Sequence, residues 1–278
     1  MGDTDNSKVE FVQELTLKEL LLDAWKDRLF IISFAALFLL ISIIIIYFSK
    51  PSYRAEAVIS PSYIFSESFN NNGEEGNIQI VDIGISGDFL FNSYIQIIRG
   101  NSLASKIFND KLISIYKEDC YFRFCFKNDG LNNSADLSEY LQRKIKIDPV
   151  GLTDFKKISF VHPDKEKAQY VIESIHRETN GIIRLNLEDS FSKKIDYLER
   201  KLSENIHPDH KKEIVSMIMN YEYYLMQSEV GLDVGARYVE PVYVMSRAVW
   251  PRKSFLIVFM VFIGGIVGYV FAATIRKE

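Results

Sequence analysis

From Leu29 to Phe48 the chain reads LFIISFAALFLLISIIIIYF, and from Phe255 to Ile275 it reads FLIVFMVFIGGIVGYVFAATI. Neither run contains a charged residue or a proline. A bilayer core about 30 Å thick needs about 20 helical residues at about 1.5 Å each. Both runs reach that length and are apolar on every face, whereas a helix on a soluble core keeps a polar side. They predict two transmembrane helices, at 29–48 and 255–275. The first is too long for the apolar part of a signal peptide and shows no small-residue cleavage site, so it is expected to be retained.

Between the spans the pattern is that of a folded domain. Residues 53–59 alternate, with Tyr53, Ala55, Ala57 and Ile59 on one face and Arg54 and Glu56 on the other, which predicts a strand leaving the membrane. The polar tract SESFNNNGEEG within 61–76 predicts a loop. Leu90, Phe91, Tyr94, Ile95 and Ile98 stand at helical spacing, Gly100 is a stop, and Asn101 or Ser102 starts a second short helix. Phe122, Phe124 and Phe126 predict a strand at 121–127. Ser134 is expected to cap a helix carrying Leu137 and Leu141; Ile145 and Ile147, and then 157–161, predict two further strands.

From Asp164 a longer period takes over. Ala168, Val171, Ile172, Ile175, Ile182 and Ile183 make a broad stripe that narrows to a seam of Phe191, Ile195, Leu198 and Leu202. Gly181 interrupts it, and the helix is expected to end near Ile206 or His207, because Pro208 disfavours helical geometry in the residue before it. Pro208 suits the first position of a second helix, whose seam is Ile214, Ile218, Tyr221 and Leu225. An antiparallel hairpin burying one seam against the other follows, tens of ångströms long at about 1.5 Å per residue. Residues 237–246 return as an extended segment, and Pro241 makes it an edge strand or a bulge.

The expected fold is α+β: a membrane protein with two terminal transmembrane helices, a membrane-proximal mixed α/β domain at 49–163 and 236–254, and a long extracytoplasmic helical hairpin at 164–235. Residues 1–28 and 276–278 are then the cytoplasmic ends. Lys8, Lys18, Lys26 and Arg28 before the first span, with Arg276 and Lys277 after the second, put both termini in the cytoplasm. The first 28 residues carry seven acids against four bases, and neither flank has room for a cytoplasmic catalytic or signalling domain.

Chemistry-bearing motifs are sparse. A net charge of −4 gives no basic footprint for nucleic acid. No GxxxxGK[ST] phosphate loop is present. His207 and His210 flank Pro208 and Asp209 at the expected hairpin tip and lack a third metal ligand. Cys120 and Cys125 are five apart, so in a strand they point to opposite faces and a disulfide would need a turn or bulge; two packed small residues are expected. No catalytic, cofactor or metal residue is assigned. Gly264, Gly265 and Gly268 form a GxxxG with a neighbour, which lets another helix approach closely, and Pro251 stands at the membrane entry as a helix start or a junction.

Three stretches resemble the chain-length determinant family, the Wzz-type polysaccharide co-polymerases of bacterial envelopes. They are ISFVHPDKEKAQYVIESI at 158–175, the tract from Tyr223 to Pro241 with Gln227, and the approach to the second span, where Pro241 and Pro251 are kept and an intermediate proline is missing. The resemblance implies a non-enzyme of the bacterial inner membrane with its main domain in the periplasm. It implies copies assembled as a ring, acting with the membrane polymerase on lipid-linked polysaccharide to set the length of O-antigen or a related polymer. It implies no cofactor; contact with the polymerase is expected to run through the spans, since partners in lipid meet through small-residue faces. Capsule or exopolysaccharide export is the nearest alternative, and a two-span sensor a more distant one.

Overall fold

The computed structural model describes residues 25–62, 86–119, 133–204, 207–230 and 233–275. The expected strand at 121–127, Cys120 and Cys125, nearly all of the polar loop, and the terminal flanks other than residues 25–28 lie outside the described residues. Two compact units are present, one of the terminal segments and one of residues 50–250.

The first unit holds α1 (Arg28–Phe48) and the last helix of the chain (Lys253–Ile275), both long and apolar enough to cross a membrane. The two pack on each other, and most of their large side chains face outward. The last helix begins at Lys253, so Pro251 precedes its first turn instead of occupying the first helical position.

In the second unit β1 (Tyr53–Pro61) is followed by four short helices, α2 (Gly87–Ile98), α3 (Asn101–Ile107), α4 (Asp110–Glu118) and α5 (Ser134–Lys144). Next come β2 (Lys146–Pro149), β3 (Lys156–His162), α6 (Lys165–Ser203), α7 (Pro208–Glu229) and β4 (Ala236–Val244). The helix of the first unit that closes the chain is α8. Local chemistry sets the boundaries. Ser86 caps α2 by accepting from the Phe89 amide, and Asn133, one residue before the expected Ser134, caps α5 in a reciprocal box with Asp136. The α4 helix, which was not among the expected elements, turns Leu112, Ile115 and Tyr116 to the core at helical spacing, and Asn109 caps it through the Leu112 amide. Pro208 opens α7 as expected, while α6 ends at Ser203, earlier than the proline rule placed it, with Glu204 already extended. Gly181 sits within an unbroken 39-residue helix, roughly 58 Å long.

The sheet is antiparallel in the order β2-β3-β1-β4. Its inner face, with Ala55, Ala57, Ile59, Ile158 and Phe160, packs on Ala168, Val171, Ile172 and Ile175 of α6 and on Leu90 and Tyr94 of α2. Small alanines in β1 bring the base of the long helix close to the sheet. Turn chemistry fixes where α6 departs. His162, 1% exposed at the end of β3, accepts the Asp164 amide on Nδ1 (3.0 Å), its Nε2 lies 3.2 Å from the Ile115 carbonyl, and Asp164 caps α6 through the Glu166 and Lys167 amides. One histidine thus joins β3, α4 and α6.

Candidate functional site: the paired helices and the base of the hairpin

The small residues of α8 face α1. Gly264 lies against Phe34, Ala35 and Phe38, and Gly268 against Phe30, Ile31 and Phe34; a Cβ at either glycine would stand 2.9–3.2 Å from these atoms. Ala272 continues the buried line one turn on, and Phe34 meets Phe271 at 5.2 Å between ring centroids. Gly265 is looser, its nearest neighbour being Ile31 at 4.0 Å. The close-approach surface is therefore used within the chain, and the outward faces of α8 carry Phe255, Val258, Phe259, Phe262 and Ile266.

The hairpin seam is unevenly buried. Phe191 is fully enclosed and its ring meets Tyr221 at 5.4 Å and Tyr224 at 6.3 Å. Ile195, Leu198, Leu202, Ile214, Ile218, Tyr221 and Leu225 are only half-buried. On α7 the deepest positions are Asn220, Tyr224 and Ser228, displaced around the helix from the expected Tyr221 and Leu225. The small polar Asn220 and Ser228 let the backbones close in, and Tyr224 fills the space beside Phe191. Pro241 lies on edge strand β4, beside register shifts between Glu56 and Val58 and between Val58 and Ile59.

At the hairpin base a polar network, which the apolar periodicity could not reveal, ties α6 to the start of β4. The Asn180 side chain accepts from the Gly235 and Ala236 amides (2.9 and 3.1 Å) and donates to the Ala236 carbonyl (2.9 Å). His176 stands beside it, 4% exposed, with Nε2 3.2 Å from an Asp233 oxygen and Nδ1 2.8 Å from the Tyr94 hydroxyl. A carboxylate only accepts, so Nε2 carries the proton and Nδ1 accepts from Tyr94. Tyr238 stacks on the imidazole at 3.8 Å. Burial pushes the Tyr94 hydroxyl well above its ordinary pKa, with the Tyr238 and Asp233 charges adding to it, so it stays a donor. The helical spacing of Tyr94 was the only sequence signal for this cluster, and it read as packing.

A second charged group sits on the opposite face of the sheet. Glu56, 3% exposed, accepts from the Tyr243 hydroxyl (2.6 Å) and pairs with Arg54 and Lys157, each at 3.5 Å. Burial alone would raise its pKa; the Tyr243 hydrogen bond, Lys157 and Arg54 together outweigh that and lower it. Tyr243 is pushed up to about 12, first by that hydrogen bond.

At the hairpin tip His207 pairs with Asp209 (3.4 Å) and His210 with Glu213 (3.5 Å). Among the described residues no three His, Cys, Asp or Glu are grouped so as to hold a metal.

Two candidate membrane helices packed through glycines make one unit, an α+β arrangement with a helical hairpin makes the other, and the described polar clusters join elements of the fold. Residues 13–111 match the family model described as Wzz, chain length determinant protein. The match covers α1, β1, α2 and α3; the three stretches behind the resemblance noted above lie beyond it. No curated protein matches the chain. A solved structure described as a full-length bacterial polysaccharide co-polymerase is similar at 17% identity, over 94% of this chain and 98% of that one, with a TM-score of 0.43. A fragment of WzzB, a polysaccharide co-polymerase from Salmonella Typhimurium, is similar at 13% identity, over 72% of this chain and all of that one, with a TM-score of 0.39.

Proposed function

We propose that the chain is a polysaccharide co-polymerase that regulates the chain length of O-antigen or a related surface polysaccharide by acting with the membrane polymerase. The family match over residues 13–111 carries the reading, and the two candidate membrane helices agree with it. In this reading the chain is a regulator and not an enzyme. It sits in the bacterial inner membrane with residues 50–250 in the periplasm, and copies stand side by side in a ring. Because the glycines of α8 are occupied by α1, contact with the polymerase falls to the bulky outward faces of the spans. The test is a gel of surface polysaccharide from a deletion strain, with and without the restored gene. Loss of the preferred length band, with polymer still reaching the surface, is expected. Loss of surface polymer with intracellular accumulation would favour the export alternative, and an unchanged band pattern would overturn both.

A further inference from the structure

Beside the His176 network a cleft of about 210 Å³ opens, lined by His176, Arg177, Asn180, Gly181, Arg184 and Asp233, with Val234 the one aliphatic lining residue among the described residues. Its walls are fixed in advance. Asp233 is held by the His176 and Asn180 side chains, and Asn180 is anchored to the backbone of Gly235 and Ala236. Gly181 explains itself here: a Cβ on it would point toward the Lys106 amine at 3.1 Å, so glycine leaves this side of the helix open, at some loss of helix propensity. Each cation around the cleft has a carboxylate beside it: Lys106 and Arg177 share Glu178 (3.7 and 3.0 Å), and Arg184 faces Glu188 (3.6 Å).

A cleft of this kind selects its ligand by elimination. With one aliphatic lining residue it offers nothing to an acyl chain or an apolar side chain. Its charges are balanced, since Glu178 and Glu188 already pair with the two guanidiniums, so a small anion gains little from them. What remains suited is a ligand that presents donors and acceptors together. A hydroxyl does both: it gives its proton to the Asp233 carboxylate and accepts from Arg177 or Arg184, and vicinal hydroxyls match the planar fork of a guanidinium or carboxylate. We infer that this cleft is a saccharide-binding subsite for one sugar unit of a hydroxyl-rich glycan, with Asp233, Arg177 and Arg184 as its hydroxyl-binding groups. Only the source of the glycan rests on the function proposed above; the subsite stands on the cleft itself.

The experiment uses the full chain in nanodiscs, with saturation-transfer NMR against length-fractionated oligosaccharides released by mild acid from the strain's own surface polysaccharide. Dextran oligomers of matched length and inorganic phosphate are the comparison probes. Binding of the strain's oligosaccharide is expected, weakened at least fivefold by Arg184→Gln, which alters an exposed side chain, and by Gly181→Ala, which improves helix propensity while narrowing the cleft. Melting curves of both variants should match or exceed that of the parent. No transfer to the parent protein, equal transfer to both variants, or displacement by phosphate would each overturn the subsite. The deletion-strain gel answers separately for the proposed function: a lost length band with no glycan binding sinks the subsite alone.

Discussion

Single side chains divide into those that fill space and those that hold a joint, and Asn180 is the clearest of the second kind. Its amide satisfies three main-chain groups at the entry to β4, all buried. Asn180→Ala would leave them without partners, at about 1–3 kcal/mol for each group that water cannot reach. Chemical denaturation should show a loss of at least about 3 kcal/mol, and Asn180→Asp should lose at least as much, because it sets a carboxylate against Asp233 and the Ala236 carbonyl. Equal, small losses would contradict the assigned role. Glu56 and Tyr243 make contributions that depend on pH. The Glu56 pKa is lower folded than unfolded, so its contribution is full above the ordinary value of 4.5 and is lost as pH falls through the folded value. Tyr243 is raised, so its contribution is full below 10 and is lost as pH rises toward about 12. Tyr243→Phe should cost about 1.5 kcal/mol at neutral pH, the low end for a hydrogen bond to a charged group because the tyrosine is partly exposed. It should also move the acid unfolding limb to higher pH, as read by circular dichroism across a titration.

At the scale of elements, what the sequence made legible was whatever repeats. The two apolar runs carry an unbroken length, the alternation of β1 and the heptad-like steps of α6 each carry a period, and each became the element expected. The α4 helix was missed because its stripe, Leu112, Ile115 and Tyr116, spans little more than one turn. The α7 face reaches further round the helix than its apolar residues show, because Asn220 and Ser228 are buried alongside Tyr224 while Tyr221 and Leu225 pack at its border, and periodicity counts only apolar residues. The network around His176 gathers Tyr94, Asn180 and Asp233 from sequence-distant places, which only the fold brings together. Glycine spacing in α8 suggested close approach without naming the partner, and the structure supplies α1. Gly264→Leu and Gly268→Leu would drive side chains into the Phe30–Phe38 stretch, while Gly265→Leu has more room. The first two should lower the melting temperature of the detergent-solubilised protein and blur the length band, and the third should do neither. Similar behaviour of all three would mean that this helix pairing does not matter to function.

For the whole molecule, the most telling surface is on α7, where Val215, Met219, Tyr223 and Met226 stand 42%, 47%, 37% and 53% exposed at steps of four, four and three. Large apolar groups lined up along a water-facing helix are the pattern of an unfinished helix–helix contact. If copies stand side by side, this stripe is where neighbours meet. Met219→Glu with Met226→Glu should shorten the crosslinking ladder of the protein in membranes while leaving its melting temperature unchanged. A ladder as long as that of the parent would place the contact elsewhere.

The position of β1 in the sheet also has a consequence in time. β1 begins at Tyr53, and its partner β4 begins only at Ala236. At roughly 5–20 residues per second, synthesis brings β4 out about ten to forty seconds after β1. In that interval β3 can pair on one side of β1, while the other side presents open backbone donors and acceptors, the condition under which strands recruit strangers. Glu56 lies on that strand, and until Tyr243 arrives its carboxylate lacks the hydrogen bond that accompanies its burial. A chain that tried to pair here too early would have to desolvate a charge without that donor. Arg54 and Lys157 face Glu56 before the last strand is made, and the Tyr243 hydrogen bond is the latest of its contacts to form.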